Sequence, residues 1–436
     1  MAKKKVTTEC EDSLVDNLRD KLCQVVNIAA SATTSFTPKI VLEAQSLSMQ
    51  YALGMNGFPY GLLIELCGQA DTCKSTILYE FMRWVLQPLD GSPGGKVVLF
   101  ETEGKDNGAL RSGLYNYDEY SLNNTMVVMC TSYEQWMDCT TRTFTHYQKF
   151  FENNTQFPVI VAVDSLMAAP TDKQAAEIDE SGHTAADFPR LQKAISDDFK
   201  NFPRKLQNLP LLFMFVNHVR EETKGLVKVE VSKGGRAPEY YKSISLKFSP
   251  AAKNGRFTKT NCEGRTIRMT LSKNSLGSKS REIEIIILYR YIENPSYDPD
   301  SFMSSPYILS VVFDWGEADI KFLQKVIAGS VAGFSTERRK RIADVLDLHV
   351  VSKQNSPTWC WSTTLGIPES DPVSFSEAGR MLMKNSKLLR TLQDELFIQR
   401  YPVFKRGDNF QDLLEICARE QSRLVQPKEI TNMEEI

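Results

Sequence analysis

Between residues 62 and 217 the chain contains five short, almost continuously apolar stretches that alternate with longer, mixed segments. Runs of this length are typical of strands that are buried on both faces of a parallel sheet, and the segments between them are long enough for crossover helices. The pattern therefore predicts an α/β core. The predicted strands are LLIELC at 62–67, KVVLFE at 96–101, TMVVMC at 125–130, PVIVAVD at 158–164 and LPLLFMFVN at 209–217.

Three shorter strand-like pieces follow the apolar runs and are separated by polar turns. They are SISLKF at 243–248, TIRMTL at 266–271 and EIEIIILY at 282–289. Because antiparallel strands can be joined by short turns, we expect these pieces to extend the sheet at one edge, partly in antiparallel pairing.

Beyond about residue 290 the pattern changes from strands to helices. The segment ENPSYDPDSFMSSP at 293–306 predicts a loop, and helical periodicity follows from Ser335 and again from Phe375 to Arg423. We therefore predict a separate, mainly helical C-terminal domain at 291–436, joined to the core by the Pro-rich loop.

Length and composition fit a protein with a full hydrophobic core. The chain has 436 residues, of which 42% are hydrophobic and 24% charged, enough for two or three folded units. Its N-terminus, MAKKKVTTECEDS, has no apolar secretion signal, and no later stretch is long enough to span a bilayer. We therefore expect a cytoplasmic protein without a membrane partner.

The cysteines and the charges narrow the interpretation further. Nine cysteines without a CxxC pair argue against a disulfide framework and a zinc site, and predict free thiols in a reducing compartment. The net charge of -2 says little about partners, but residues 253–281 carry a local excess of basic side chains. This excess indicates an electropositive side or, alternatively, a solvated face of edge strands. The side chains concerned are Arg256, Lys259, Arg265, Arg268, Lys273 and Lys279, against Glu263.

The segment GQADTCKST at 68–76 is close to a phosphate-binding loop. It follows a buried strand and opens the predicted helix KSTILYEFMRWVL, so backbone N–H groups and the positive helix end would bind phosphate oxygens. Lys74 would reach the β and γ phosphates, and the Ser75 hydroxyl would bind Mg²⁺. The candidate nucleotide-binding residues are Gly68, Gln69, Ala70, Asp71, Thr72, Cys73, Lys74, Ser75 and Thr76.

Cys73 occupies the position where the usual loop has its second glycine. Glycine tolerates a positive φ there, whereas a Cβ in the left-handed region costs on the order of 1 kcal/mol. We expect nucleotide binding that is weakened but not abolished. An alternative interpretation is a redox-sensitive thiol at a helix N-terminus.

Polar residues follow three of the predicted strands and would meet at the carboxyl edge of the sheet, where open α/β sheets place ligands. Asp164 is suited to hold Mg²⁺, and Glu101 or Glu103 to activate a water molecule. Asn217 and His218 end the last apolar strand. Each alone is explained as a polar strand cap, but together with the loop they favour a nucleotide site.

Two further segments resemble those of the RecA-like recombinase family, including its phage-encoded UvsX-type members. SLSMQYALGMNGFPYG at 46–61 is similar to the segment before the family's first core strand, and GGRAPEYYKSISLKF at 234–248 to the end of its second DNA-binding loop. The resemblance covers about 40–290. It implies a RecA-like P-loop ATPase core at 46–290, with a mostly parallel twisted sheet flanked by helices, and an N-terminal oligomerisation arm at 1–45. Core packing explains the arm's amphipathic helix equally well.

The resemblance also implies catalytic roles. Glu103 matches the general base, Asp164 the Mg²⁺-associated aspartate, and Lys74 and Ser75 the phosphate and Mg²⁺ residues. His218 stands where the family has a γ-phosphate-sensing glutamine, a departure that still leaves one hydrogen-bond donor.

Further matches concern the neighbouring subunit and the base. Lys273 matches the first of two lysines that reach a neighbouring subunit's nucleotide. The second falls at Ser275, with Lys279 or Arg281 as substitutes, and the family's adenine-stacking tyrosine falls on Leu110.

On the DNA side, the resemblance implies two groups of contacts. Lys193, Ser196 and Lys200 share a helical face and would contact phosphates, although Asp197 and Asp198 leave a solvated mixed-charge helix as the alternative. The second DNA-binding loop would contribute Lys224, Lys228, Lys233, Gly234, Gly235 and Arg236. The basic helix STERRKRIADVL at 335–346, capped at Ser335 or Thr336, is expected to guide duplex DNA or to be merely solvated.

These matches imply a DNA-dependent ATPase that uses ATP and Mg²⁺, forms filaments on single-stranded DNA and exchanges strands with double-stranded DNA. Single-strand-binding and mediator proteins are the implied partners, in a bacterial or phage-infected cytoplasm or a phage replication compartment. Two alternatives stay open. One is a hexameric motor or helicase with the same core, and the other is a DNA-binding filament scaffold that has lost hydrolysis.

Overall fold

The computed structural model describes residues 40–104, 117–172, 188–224, 227–232, 236–251, 255–259, 262–276, 281–293, 297–300, 306–353 and 356–416. Residues Val41–Asp408 form one compact unit. The described residues outside this unit are 40 and 409–416, with a helix at 410–416. The helix and the oligomerisation arm predicted at 1–45 lie almost entirely outside the described residues.

The strands are named in chain order. They are β1 (Val41–Glu43), β2 (Gly57–Pro59), β3 (Leu63–Gly68), β4 (Lys96–Glu101), β5 (Thr125–Met129), β6 (Val159–Asp164), β7 (Leu211–Lys224), β8 (Val227–Ser232), β9 (Ile244–Pro250), β10 (Arg256–Lys259), β11 (Cys262–Asn274), β12 (Glu282–Glu293), β13 (Tyr307–Phe313), β14 (Leu348–Lys353), β15 (Ser356–Ser362) and β16 (Val373–Ser374).

The helices are named in the same way. They are α1 (Leu47–Leu53), α2 (Lys74–Leu86), α3 (Glu119–Asn123), α4 (Tyr133–Asn153), α5 (Phe188–Phe199), α6 (Phe202–Leu206), α7 (Arg236–Tyr241), α8 (Trp315–Ile327), α9 (Thr336–Leu346), α10 (Phe375–Lys384) and α11 (Ser386–Glu395). None of these described helices is long and apolar enough to cross a membrane.

A large mixed sheet forms the centre of the main unit, and its order is β13-β12-β11-β9-β3-β7-β6-β4-β5. The strands from β9 to β5 pair in parallel, whereas β11, β12 and β13 pair in antiparallel fashion at the edge. The α/β core with a mostly parallel sheet and a partly antiparallel edge is therefore confirmed.

The apolar runs become strands because helices cover both faces of the parallel part. All residues of β3 and β6 are buried, whereas β5, at the edge of the sheet, exposes Met126 and Met129, so the expected burial on both faces is wrong for that run. Aromatic side chains of α4, α5 and α6 pack on one face, where Phe144 and Phe202 contact Phe213 edge-on. With both faces buried, an alternation of apolar and polar residues is not required, and the runs are continuously apolar.

The second DNA-binding loop predicted from the resemblance contains strand structure. β7 continues past His218 to Lys224 and returns through β8, with Val219 opposite Ser232 and Lys224 opposite Val227. The alternating valines of VKVEVS have the period of a strand, and this β-hairpin extends from the carboxyl edge of the sheet.

The sheet also continues across the predicted domain limit at 290/291. β12 spans this limit, β13 pairs with β12, and a three-stranded antiparallel sheet of β14, β15 and β16 accompanies α8–α11. From the sequence we predicted a mainly helical region here and identified none of these strands. The strands LHVVSK and SPTWCWS are short, and polar residues occupy most of the alternate positions in each. The domain limits at 45 and 290 stay predictions.

Two buried carboxylates attach helix α8 to the core. Asp319 accepts hydrogen bonds from the backbone N–H groups of Leu47 and Ser48 at the start of α1. On α2, Glu80 accepts the indole N–H groups of Trp84 and Trp315 at 2.9 and 2.7 Å. The helix that begins at the candidate phosphate loop is therefore held directly by the region after residue 306.

Candidate nucleotide-binding site

The candidate phosphate loop connects β3 to α2, as the sequence predicted. Gly68 ends β3 between His218 of β7 and Phe248 of β9. A Cβ atom at Gly68 would lie 2.5 Å from the carbonyl oxygen of Phe248 and 2.7 Å from Thr72 Oγ1. This close approach of backbone explains why the position needs glycine.

Cys73 has φ 60° and ψ 26°, the left-handed conformation that the glycine of the usual loop would adopt. It stands immediately before α2, and its side chain makes no capping hydrogen bond to the helix. Its Sγ instead lies 3.6 Å from Tyr289 Oη and 3.6 Å from Arg265 Nη1. The thiol therefore points toward the antiparallel edge of the sheet.

Lys74 is buried, and its Nζ donates a hydrogen bond to the carbonyl oxygen of Gln69 at 2.6 Å. Burial lowers the pKa of this ammonium group, and the carboxylates of Asp164 and Glu103 only partly oppose that effect. One backbone oxygen thus holds the Lys74 amine over the loop. An anionic ligand in the loop would raise the pKa of this amine again and favour its charged form.

The start of α2 fits a phosphate group. The first turn contains no acidic side chain, and the side chain of Cys73 does not cap it. The N–H groups at the start of a helix suit an anion. Ser75 in this turn and Asp164 at the end of β6 offer a hydroxyl and a carboxylate, the oxygen ligands that Mg²⁺ prefers.

The two candidate bases differ in their surroundings. Glu101 is buried, and its Oε1 accepts backbone N–H groups from Glu103 and Gly104 at 2.6 and 3.1 Å. Glu103 is 17% exposed, and its Oε1 accepts the hydroxyl of Ser165 at 2.7 Å. Glu101 therefore stabilises the turn, whereas Glu103 presents its carboxylate at the sheet edge.

His218 approaches Glu103 from the neighbouring strand. Its Nε2 lies 3.7 Å from Glu103 Oε1, and its side chain is 33% exposed. The structure thus brings the ends of β3, β4 and β6 beside His218, which lies within β7, and Glu103 and His218 are in near contact. This convergence follows from parallel pairing, which places all carboxyl ends at one edge.

A buried charged network lies directly behind this edge. Glu65 of β3 accepts hydrogen bonds from Asn217, Ser245 and Lys242 at 2.9, 2.7 and 2.5 Å. Lys242 also pairs with Glu239 near the end of α7. The network therefore joins the residue before His218 to the helix that follows the β7–β8 hairpin.

Burial alone would raise the pKa of Glu65, but the adjacent Lys242 ammonium and the three hydrogen bonds lower it overall. Burial would likewise lower the pKa of Lys242, but the Glu65 and Glu239 carboxylates raise it. Both groups are therefore charged at neutral pH.

Two members of the first predicted DNA-contacting group lie on α5, and Lys200 directly follows this helix. Leu191, Ile195 and Phe199 face the core, whereas Lys193 and Lys200 are exposed and Ser196 is half-buried. The acidic neighbours are engaged elsewhere: Asp197 pairs with Lys200, and Asp198 accepts the Tyr133 hydroxyl at 2.7 Å. Lys193 thus provides a positive charge on this exposed face, whereas Asp197 partly neutralises the charge of Lys200.

The structure describes only the backbone of most of the second group. Lys224 ends β7, Lys228 lies on β8, and Arg236 begins α7. Lys233, Gly234 and Gly235 lie outside the described residues, as do Leu110 and Lys279.

The remaining cationic candidates lie at the antiparallel edge. Lys273 Nζ donates to the carbonyl oxygens of Glu239 and Tyr240 at the end of α7. Burial lowers the pKa of Lys273, as does the charge of Lys242. Arg281 donates to the carbonyl oxygen of Tyr51 and lies over its ring. Arg281 is thus engaged inside this chain.

Sequence reasoning missed the roles of Glu65, Lys242 and Arg265. The available signal was a glutamate in the middle of the apolar run LLIELC. When a strand is buried on both faces of a sheet, a carboxylate in it needs a cation as its partner. Arg265 was noted only as one member of a basic run.

The mostly parallel sheet and the strand–loop–helix arrangement resemble those of P-loop nucleotide-binding α/β proteins. No protein-family model matches the chain. The chain is 25% identical to RecA of Caulobacter sp. (strain K31) over 252 residues, 57% of this chain and 63% of that protein. It is 26% identical to RecA of Deinococcus radiodurans over 254 residues, 57% of this chain and 62% of that protein.

A third similarity is to RecA of Malacoplasma penetrans (strain HF-2), with 21% identity over 262 residues, 59% of this chain and 70% of that protein. The chain thus spans less than two thirds of the length of the first two relatives. This distant similarity, together with the mostly parallel sheet, supports a RecA-like family.

Proposed function

We propose that the protein is an ATP-dependent DNA recombinase that assembles on single-stranded DNA and promotes pairing and strand exchange with a homologous duplex. The observation that carries this proposal is the convergence of Lys74 at the start of α2, Glu103 just after β4 and His218 in β7 at one edge of the parallel sheet. The similarity to RecA proteins supports it independently.

In the proposed reaction, the loop at 68–76 binds the phosphates and Lys74 neutralises their charge. Ser75 and Asp164 would hold Mg²⁺, which would neutralise phosphate charge. Glu103 accepts a proton from the water whose oxygen attacks the γ-phosphorus; the bond from that phosphorus to the β–γ bridging oxygen breaks, and ADP leaves. Ser165 orients the Glu103 carboxylate.

His218 is proposed to report the state of the nucleotide to the DNA-binding segments. It follows Asn217, which is hydrogen-bonded into the Glu65 network, and it precedes the β7–β8 hairpin on the same strand. A change at His218 can therefore act on the hairpin along one continuous strand.

We further propose that Lys193, Ser196, Lys200 and the cations of the hairpin contact DNA phosphates. Lys273 is proposed to reach a neighbouring subunit's nucleotide within a filament. Single-strand-binding and mediator proteins, and a phage origin of the UvsX type, belong to the same proposal.

Phosphate release from ATP with and without single-stranded DNA tests the proposal. Lys74→Ala and Glu103→Gln are expected to lower the DNA-stimulated rate at least ~100-fold, because one removes phosphate binding and the other the proton acceptor. The matched control is Glu152→Gln on the exposed face of α4, which is expected to keep the wild-type rate.

A filament scaffold that has lost hydrolysis is the second candidate, and the positive φ of Cys73 favours it. Binding of DNA without phosphate release above that of Lys74→Ala would support the scaffold and contradict the ATPase.

A further inference from the structure

Arg265 of β11 lies beside the candidate phosphate loop although it is 192 residues away from Cys73 in sequence. Its Nη1 lies 3.6 Å from the Sγ atom of Cys73. Cys73 is the residue that precedes the first turn of α2. A thiol is a weak hydrogen-bond acceptor, so this contact satisfies the guanidinium poorly. Within the described ranges of the chain, the cation therefore stands within reach of the loop without a strong partner.

The rest of the guanidinium is also poorly satisfied. Arg265 Nε is buried and has no hydrogen-bond partner among the described residues. No carboxylate in the described part of the chain forms an ion pair with Arg265, whereas Arg268 on the same strand pairs with Glu282 at 3.1 Å. A buried cationic donor without a partner is costly, unless a ligand completes it.

A cavity opens at the same place. It has a volume of about 470 Å³ and lies between β10, β11 and β12, with Arg265, Phe257 and Tyr289 in its wall. Tyr289 also contacts Cys73 through its hydroxyl, at 3.6 Å from Sγ, so the cavity adjoins the loop. A volume of this size is typical of small-molecule sites.

We propose that Arg265 is a second phosphate-binding cation of this site, which contacts the phosphate chain of a nucleoside di- or triphosphate in the same subunit. When the ligand binds, the guanidinium exchanges the thiol of Cys73 for phosphate oxygens, to which its planar donors are suited. The inference rests on the proposed function, because it needs a nucleotide in the loop at 68–76. It adds a residue from the antiparallel edge that the loop pattern does not contain.

Fluorescence titration of the full-length protein with mant-ADP and Mg²⁺ tests the inference. Arg265→Ala is expected to raise the Kd at least ~10-fold, because a hydrogen-bonded ion pair with phosphate is lost. The salt dependence of log Kd should also become shallower, since one cation fewer meets the ligand. Arg265→Lys keeps the charge and should give an intermediate Kd with the wild-type salt dependence.

The matched control is Arg268→Ala. Arg268 lies on the same strand as Arg265, but its guanidinium is already paired with Glu282 of this chain. This variant is expected to keep the Kd within ~2-fold of wild type. A purely structural role of Arg265 would weaken binding without changing the salt dependence, and that result would overturn the inference.

Wild-type binding by both Arg265→Ala and Arg265→Lys, with binding lost in Lys74→Ala, would overturn the role of Arg265 alone. Absence of mant-ADP binding to the wild-type protein, or unchanged binding in Lys74→Ala, would instead contradict the proposed nucleotide site itself. The two failures are therefore distinguishable in one set of titrations.

Discussion

Cys73 shows how one residue can keep the shape of a loop while changing its chemistry. The sequence predicted that a side chain at this position would be forced to a positive φ, and the structure has φ 60° there. The thiol keeps the backbone N–H groups in place but introduces a Cβ and a sulfur atom that contacts Arg265 and Tyr289. The local strain is a cost to folding, of about 1 kcal/mol.

Substitutions at Cys73 should therefore separate strain from binding. Cys73→Gly removes the strain at some cost in chain entropy, so the free energy of unfolding should change by less than about 1 kcal/mol. Cys73→Val places a β-branched residue in the left-handed region and should lose about 2 kcal/mol or more. Urea unfolding measures both values. Equal stability of the two variants would contradict the conformation described for this loop.

Whether the loop binds phosphate is a matter of its neighbours as well as its pattern. Lys74 and Ser75 were identified from the sequence because the strand–loop–helix order is local. Arg265 was not, because its approach to Cys73 depends on how β11 and β12 are placed at the sheet edge.

At the scale of elements, the apolar pattern predicted the core strands well. KVVLFE at 96–101 is β4, and the predicted helix at 74–86 is α2. In both cases a single local signal, a continuous apolar run or a helical pattern that opens at the loop, determines the element. The hairpin of β7 and β8 was instead assigned to a loop, because the resemblance to the RecA-like family placed the second DNA-binding loop there.

The Glu65 network connects elements that are far apart in sequence. Glu65 lies in β3, Asn217 in β7 and Ser245 in β9, and Lys242 directly follows α7. The four side chains meet in the interior of the sheet. No local pattern predicts such a meeting. The network is also a direct physical link between the loop that binds the proposed nucleotide and the helix after the hairpin.

Removal of one member should destabilise the fold strongly. Among the described residues, Glu65→Gln leaves the buried Lys242 with the half-exposed Glu239 as its remaining anionic partner, and it should lower the free energy of unfolding by about 3 kcal/mol at pH 7. The control Glu282→Gln, which breaks an exposed pair with Arg268, should lose less than about 1 kcal/mol.

The pH dependence of the same variants gives a second check. Because the pKa of Glu65 is lowered on folding, its contribution is present above the ordinary carboxyl pKa and is lost as the pH falls through the lowered value. Because the pKa of Lys242 is raised, its contribution is lost as the pH rises through the raised value. Wild type and Glu65→Gln should therefore converge in acid, and a constant difference between pH 7 and pH 3 would argue against the network.

At the scale of the whole molecule, residues 306–408 are part of the same compact unit as the sheet. Trp315 donates to Glu80 of α2, and Asp319 receives the N–H groups that start α1. The C-terminal region therefore supports the proposed nucleotide site from behind. The sequence indicated a change from a strand pattern to a helical pattern near residue 290. It did not show that the chain beyond this point packs against the core.

Assembly is the property of the whole molecule that tests the proposed role of Lys273. In one chain its ammonium group only satisfies the carbonyl oxygens at the end of α7. If it reaches a neighbour's phosphates in a filament, Lys273→Ala should weaken assembly on single-stranded DNA ~10-fold or more. Electron microscopy with a non-hydrolysable ATP analogue measures filament number and length.

Two variants control this experiment. Ser275→Lys adds a cation two residues further along and should lengthen filaments, whereas Lys325→Ala removes an exposed partner of Glu284 and should leave them unchanged. Rings in place of filaments would favour the hexameric motor, and filaments of Lys273→Ala equal to those of wild type would remove Lys273 from the interface.

The sequence by itself determined the α/β class, the central strands, the strand–loop–helix order at 63–86 and the strained position at Cys73. These features depend on hydrophobic periodicity and on residues that are adjacent along the chain. Only the tertiary structure decided which charged groups meet: Glu65 with Lys242, Glu103 with His218, and Arg265 with Cys73. The physical reason is that strand order and register bring together residues more than a hundred positions apart, and no local signal in the chain encodes those distances.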